Sequence, residues 1–209
     1  MLLAAPVPDP GPAGSYGTMA WLRATVSRFA NDETHARRRA LVEALLAEID
    51  PAELREEAAA MARERQLVRA QPEQLYVRGI ERQYLPVAVL ARRLGAADLA
   101  TAVAATRVVA AAYQPHTSHP DSDDALAGLL SLLPGGDEEL VAARVAILVQ
   151  ACEATAALVR GEDVPVPVTR RVGPDGETVL VDLSDCPFGA GPRRCPGEAH
   201  ARALVEGLT

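Results

Sequence analysis

The sequence contains no lysine and is poor in aromatic residues and cysteine. Aromatic residues make up 3% of its 209 residues. A core of alanine, leucine and valine then has few large side chains to fill gaps, and a bound planar cofactor could supply the missing bulk. Hydrophobic residues reach 49%, which excludes wholesale disorder and favours one domain, or at most two small ones.

Charge and cysteine content exclude further classes. Acidic residues outnumber basic ones by 28 to 21, giving a net charge of −7, so we expect no nucleic-acid partner. The three cysteines lack a C-x-x-C pair, which predicts free thiols and a cytoplasmic setting. We see no basic, apolar leader and no uncharged apolar run of 18 or more residues, so we expect no secretory signal and no membrane partner.

The hydrophobic pattern predicts a mainly α fold. Residues 1–18, rich in proline, glycine and alanine, predict a flexible tail, and 19–209 predict a single domain. Helical spacing or capping signals cover residues 19–29, 31–49, 51–71, 86–94, 97–113, 138–160 and 196–208. Residues 114–122 predict a loop. Alternating valines before Pro174-Asp175-Gly176, and the apolar run 178–183 after it, predict a small β-hairpin.

The most informative segment reads FGAGPRRCPG over residues 188–197. Cys195 is predicted at the N-cap of the last helix, with Pro196 as its first residue. The positive helix end and the arginines at 193 and 194 should lower the pKa of the thiol. The glycines allow sharp turns and close approach to a flat object. A thiolate in this setting fits either a nucleophile or a soft metal ligand.

This segment resembles the heme-binding loop of the cytochrome P-450 superfamily, Phe-Gly-x-Gly-x-Arg/His-x-Cys-x-Gly. All six defining positions are present, namely Phe188, Gly189, Gly191, Arg193, Cys195 and Gly197. The resemblance implies heme b as cofactor, with Cys195 as the axial thiolate ligand of the iron. It also implies that Phe188 packs near the sulfur and that Arg193 pairs with a heme propionate.

Two other segments resemble parts of the same family that grip the propionates. His35 and Arg39 are four residues apart, so they share one face of a helix and could present donors to two carboxylates. Residues 167–172 resemble the strand whose arginine reaches a propionate. Arg171 fits that position better, and Arg170 is the second choice.

The long helix resembles the distal helix over the oxygen site, which typically reads Gly-x-Glu/Asp-Thr-Thr. Ala151 takes the glycine position, and Glu153 takes the acid position and is a candidate for proton transfer. Ala154 stands where a proton-delivering threonine is expected. Thr155 follows it, about 100° further around the helix. This departure favours a peroxide-driven or unusual heme reaction.

The resemblance covers residues 19–209 as a condensed version of the family's fold. A full member is much longer, and no Glu-x-x-Arg occurs between Glu153 and Cys195. The expected architecture is mainly α, with helices around a heme plus a small β-hairpin. Apolar helix faces left uncovered by the deletions predict a homo-oligomer.

The resemblance implies a heme-thiolate oxidoreductase that oxidises a small organic, secondary-metabolite substrate by monooxygenation or with peroxide. We see no flavin or iron–sulfur segment, so electrons would come from a separate ferredoxin and reductase. The alternatives are a heme-bearing, non-catalytic partner protein and a heme sensor or carrier.

Other constellations give weaker hypotheses. A metal site could form from His116, His119 and the aspartates at 121, 123 and 124. Cys186 and Cys195 could hold zinc, and Cys195 with His200 could form a hydrolase pair.

Overall fold

The computed structural model describes residues 2–68 and 79–209. These parts contain eight α-helices and a two-stranded antiparallel sheet. The helices are α1 (Met19–Thr25), α2 (Asp32–Ala47), α3 (Pro51–Val68), α4 (Leu85–Arg93), α5 (Leu99–Ala111), α6 (Ser122–Leu132), α7 (Glu138–Val159) and α8 (Glu198–Glu206). The strands are β1 (Val168–Val172) and β2 (Thr178–Asp182).

Helix α7 is the centre of the packing. Helices α2, α4 and α5 lie against it along its length, and α8 packs against both α7 and α3. Leu148 is completely buried, as are the small residues Ala142 and Ala146 on the same helix. Small side chains on α7 allow neighbouring helices to approach closely, which suits a core with few aromatic rings.

Helix α7 is also long and apolar enough to cross a membrane by length and composition. However, 67% of its most apolar 18-residue window is buried inside the fold, as in the core helix of a globular protein.

Several predicted helix starts are confirmed by their capping hydrogen bonds. The Asp98 carboxylate accepts the backbone N–H of Ala100 at 3.0 Å and begins α5. Asp137 does the same for α7, and Asp50 accepts the N–H of Ala52 at 2.8 Å at the start of α3. These side chains satisfy donors that the first helical turn leaves unpaired.

The predicted boundaries are wrong in three places. The first helix ends at Thr25, and a short 3-10 turn, Ser27–Phe29, replaces its last turn. Helix α6 occupies a segment for which we predicted no helix. The last helix begins at Glu198 with Gly197 as its N-cap, so Cys195 lies two residues before the cap. The predicted end of α3 near residue 71 lies outside the described residues.

The predicted hairpin is present but its first strand starts late. Val168 pairs with Asp182 and Val172 with Thr178, and the Gly176 N–H donates to the Gly173 carbonyl in the turn. The prolines at 165 and 167 keep residues 164–167 out of the ladder, because proline cannot donate a hydrogen bond.

The first part of the N-terminal segment contacts the domain, while the flexibility predicted for residues 1–18 stays a prediction. Val7 is buried, and its backbone N–H and carbonyl both bond the Asn31 side chain, at 2.9 and 3.0 Å. The Pro6 carbonyl accepts the N–H of Val172, which extends β1 at its free edge. The segment therefore runs beside the sheet and the start of α2.

Exposed apolar surface is limited. In the described ranges, the large hydrophobic side chains that are exposed are Leu2, Tyr16, Val168 and Leu180, and none lies on an α-helix. The uncovered apolar helix faces that we expected are thus not found there. The homo-oligomer itself stays a prediction.

Candidate functional site

The loop before α8 is a compact turn that presents Cys195. The Cys195 N–H donates to the Phe188 carbonyl at 2.8 Å, and the Gly189 N–H donates to the Cys186 carbonyl at 2.7 Å. Gly189 and Gly191 have φ angles of 71° and 63°, which favour glycine. A side chain on Gly191 would meet no atom within 4 Å, so this side of the loop faces open space.

Cys195 is an exposed residue, yet enough protein surrounds its thiol for desolvation to raise the pKa. A hydrogen bond from the Gly197 N–H and the charge of Arg39 lower the pKa, but they do not outweigh desolvation. The prediction of a lowered pKa is therefore wrong for the protein alone. The physical reason is desolvation by the surrounding protein, which outweighs the hydrogen bond from Gly197 at the start of α8.

The structure gathers the four residues predicted to bind propionates into one cationic cluster. His35 has a lowered pKa, first because of burial and then because of the nearby charges of Arg193 and Arg39, with a smaller effect of Arg171. Burial lowers the pKa of Arg171 to about 10, and Arg193 adds to that shift. The residues come from α2, β1 and the loop before α8, so only the folded chain brings them together.

The hydrogen bonds of this cluster go mostly to neutral oxygens. Arg193 donates to the Ala30 carbonyl at 3.0 Å and to the Asn31 amide oxygen at 2.7 Å. Buried Arg171 donates to the carbonyls of Leu3 and Arg170, and to the Thr169 hydroxyl. These acceptors satisfy the N–H groups but leave the positive charge uncompensated.

Acidic side chains contribute little to this cluster. Glu43 pairs with Arg39 at 2.7 Å on the surface of α2. Asp32 is exposed and raises the pKa of Arg193, but burial dominates and the net shift is downward. Folding thus holds several cations together at a free-energy cost that a bound anion would relieve.

Sequence reasoning missed a fifth member, Arg28. It follows α1, and burial lowers its pKa. Its charge acts on Arg171, Arg193 and Cys195, so it lies between the strand and the cysteine loop. Arg28 is not part of any sequence motif. The one feature that could have indicated a role for it is its position next to the apolar Phe29, at the end of a buried helix.

The site residues predicted on the long helix α7 differ in their burial and in their hydrogen bonds. Ala151 and Ala154 are half-buried, whereas Glu153 is exposed and accepts the Tyr84 hydroxyl at 3.3 Å. Thr155 is buried, and its hydroxyl donates to the Ala151 carbonyl at 2.8 Å. The hydroxyl of Thr155 is therefore engaged within the helix and does not replace one at position 154.

The competing metal and hydrolase hypotheses find no support in the geometry. The described residues contain no group of three or more His, Cys, Asp or Glu side chains that could hold a metal ion. Asp123 accepts the Met19 N–H, and His116 contacts Arg170. The Nε2 of His200 lies 3.0 Å from the carbonyls of Leu46 and Ile49, so this ring is used for packing α8 onto α2.

An ion-pair chain braces the cysteine loop from outside. Glu198, the first residue of α8, pairs with Arg194 at 2.8 Å and with Arg202 at 3.0 Å. The Arg202 guanidinium also lies over the Phe188 ring, 4.8 Å from its centre. These ion pairs and the contact with Phe188 connect residues on both sides of Cys195, so they restrict the movement of the loop.

We expect Glu198→Gln to destabilise the protein by about 0.5–1 kcal/mol, since two partly exposed ion pairs and a favourable charge at a helix start are lost. Hydrogen bonds from Arg194 lower the pKa of Glu198, so this stabilisation is present at neutral pH. It should disappear as the pH falls through that lowered pKa. Urea unfolding at neutral and acidic pH measures both effects.

The matched control for this prediction is Glu206→Gln, an equal charge change at the other end of α8. Glu206 is exposed, and the helix dipole disfavours a negative charge there. Equal destabilisation by the two variants, or a Glu198 effect that persists in acid, would contradict the bracing role.

Comparison with known proteins gives a likeness of fold. No family model and no curated protein sequence matches the chain. Among solved structures, it is similar to a chain in the crystal structure of P450BioI in complex with hexadec-9Z-enoic acid ligated acyl carrier protein. The TM-score is 0.67 over 98% of this chain and 78% of that chain, at 13% identity. At that identity the likeness establishes a shared, mainly helical fold.

Proposed function

We propose that this protein is a heme-thiolate oxidoreductase in which Cys195 binds the heme iron. The observation that carries the proposal is that His35, Arg39, Arg171 and Arg193 lie in one cationic cluster, and that the charge of Arg39 also acts on Cys195. These residues were selected by motif from three distant parts of the sequence. Their assembly into one cluster is what the two carboxylates of a dianionic cofactor require.

The donor set fits such a cofactor. Heme b carries two carboxylates, and the cluster offers four arginines and a histidine with little acidic compensation. The open side of Gly191 leaves room beside the loop for a flat ring. A thiolate-ligated heme supplies oxidation chemistry, because electron donation from sulfur favours cleavage of an O–O bond.

The chain's own residues would hold and tune this cofactor. Arg171 and Arg193 would exchange neutral oxygens for carboxylates, which relieves the cost of their burial. The Gly197 N–H and the charges of Arg39 and Arg28 favour the thiolate form of Cys195. Release of a proton from this thiol is therefore coupled to binding of the cofactor.

The side chains on α7 favour a peroxide-driven route. Ala154 provides no hydroxyl, and the hydroxyl of Thr155 is bonded to the Ala151 carbonyl. Glu153 is left as the candidate proton-transfer group, exposed and bonded to Tyr84. Peroxide brings its own oxygen and electrons, so this route needs less proton delivery from the protein and no ferredoxin.

The shared fold supports the proposal at the level of architecture. The P450BioI complex contains a chain onto which almost the whole of this chain superimposes. We take from it the expectation of a P-450-like arrangement of helices; the expectation of a small organic substrate rests on the sequence resemblance.

The decisive experiment is the absorption spectrum of the heme-reconstituted, reduced protein under carbon monoxide. We expect a strongly red-shifted Soret band, because only a thiolate ligand produces that shift. A protein that gains no Soret band after reconstitution would overturn the proposal. Turnover of a small organic substrate with added peroxide then separates an oxidoreductase from a heme sensor or carrier, which would show the band without product.

A further inference from the structure

A cavity of about 250 Å³ lies beside the cationic cluster but outside the cysteine loop. Its lining includes Arg28 and Arg171 from the cluster, together with Arg170 and His116. The apolar part is provided by Phe29 and by residues of the docked N-terminal segment. Cys195 and the other loop residues do not line it, so the cavity lies outside the cysteine loop and shares Arg28 and Arg171 with the cationic cluster.

The charge of this cavity is strongly positive. Three arginines line it against one acidic residue, Asp9. Asp9 is exposed, and its carboxylate accepts the Gly11 N–H at 2.8 Å within its own turn. Arg170 contacts the ring nitrogens of His116, which keeps its guanidinium at the cavity without neutralising it. An anionic group is the ligand that such a lining recognises.

Arg28 is the cavity residue with unused donors. Among residues 2–68 and 79–209 it has no hydrogen-bond acceptor and no acidic partner. A guanidinium with free N–H groups can bind a carboxylate through two parallel hydrogen bonds.

We propose that this cavity binds a small organic carboxylate, with Arg28 contacting the carboxylate and the Phe29 side contacting the apolar body. The size favours a small molecule, because pockets for drug-sized ligands are about 300–1,000 Å³. The assignment of this carboxylate as the substrate rests on the proposed heme function. The binding site itself does not, since it is defined by residues outside the cysteine loop.

Calorimetric titration with octanoate tests the proposal, with octanol as the neutral probe of equal length. We expect saturable binding of octanoate and at least tenfold weaker binding of octanol, because a hydrogen bond to a charged group contributes about 1.5–3 kcal/mol. Arg28→Gln should weaken octanoate binding about tenfold and change octanol binding little. Arg28→Lys, which keeps the charge but not the paired donors, should restore only part of the affinity.

Arg160→Gln is the matched control, since it removes the same charge from an exposed position at the end of α7. If Arg28→Gln does not fold, Arg170→Gln takes its place, because Arg170 lies on the hairpin rather than in the core. Equal affinity for octanoate and octanol, or equal weakening by Arg28→Gln and Arg160→Gln, would overturn the proposal.

Titration of the heme-loaded protein separates the two hypotheses. If heme abolishes octanoate binding, the arginines of the cavity bind the heme propionates. This result would overturn the carboxylate site and leave the proposed heme function standing. Selective octanoate binding by a protein that takes up no heme would support the site and overturn the heme function. Octanoate binding alongside heme, with a change in the Soret band, would support both.

Discussion

A serine at position 195 should leave the protein without thiolate-ligated heme. The variant Cys195→Ser replaces a soft sulfur ligand with a hydroxyl that stays protonated at neutral pH and binds iron poorly. We expect bound heme to fall by more than about tenfold. Mutating a residue that only supports a metal ligand already costs about 10–100-fold in affinity, so losing the ligand itself should cost at least as much. The red-shifted band of the reduced carbon monoxide complex should disappear. Heme content after reconstitution and the difference spectrum measure the two effects.

The control is Cys186→Ser, which makes the same exchange nine residues earlier in the same loop. Cys186 is half-buried, and only its backbone atoms hold the turn. Because Cys195 is exposed, its exchange leaves no cavity, and circular dichroism should show both variants folded. Unchanged heme content and spectrum in Cys195→Ser would remove the central assignment.

The helices were predictable where a capping side chain and the apolar pattern agree. Asp50 and Asp137 mark the starts of α3 and α7 because their carboxylates accept free N–H groups in the first turns of those helices. Asn31 begins the second predicted helix and is the N-cap residue of α2, but its amide bonds Val7 and Arg193 and not the helix. A local pattern cannot show that a distant partner competes for the same side chain.

The choice of site residues from sequence motifs stays a prediction, but one electrostatic expectation drawn from those motifs was wrong. His35, Arg39, Arg171 and Arg193 lie together, as the family resemblance implies. The direction of the Cys195 pKa shift was wrong, since it depended on how much protein surrounds the sulfur. That is a consequence of tertiary packing.

No sequence motif indicates Arg28 or the cavity beside it. Arg28 joins the cluster because the chain turns after Val26 and directs the following residues towards the hairpin. The N-terminal segment completes the cavity because Asn31 and Val172 bind its backbone. Its composition suggested only a tail, since hydrogen bonds made by backbone atoms leave no signal in the residue types.

Neutralising Arg193 should weaken heme binding while leaving the heme-free fold almost unchanged. Arg193→Gln loses its bonds to Ala30 and Asn31 but also removes one charge from a crowded cluster, so the two effects on unfolding free energy oppose each other. With heme, the variant lacks a charge-assisted bond to a propionate, which contributes about 1.5–3 kcal/mol, or roughly tenfold or more in affinity. Heme titration followed at the Soret band, beside urea unfolding of the heme-free protein, measures both quantities.

The neighbouring residue provides the control for this last prediction. Arg194→Gln removes the same charge one position away, but Arg194 is 64% exposed and bonds Glu198 on the outer side of the loop. Its loss should cost less than about 1 kcal/mol of stability and leave heme affinity nearly unchanged. If both arginines weakened heme binding equally, the effect would be one of net charge. If Arg193→Gln bound heme as tightly as the unaltered protein, Arg193 would have no role in holding the cofactor.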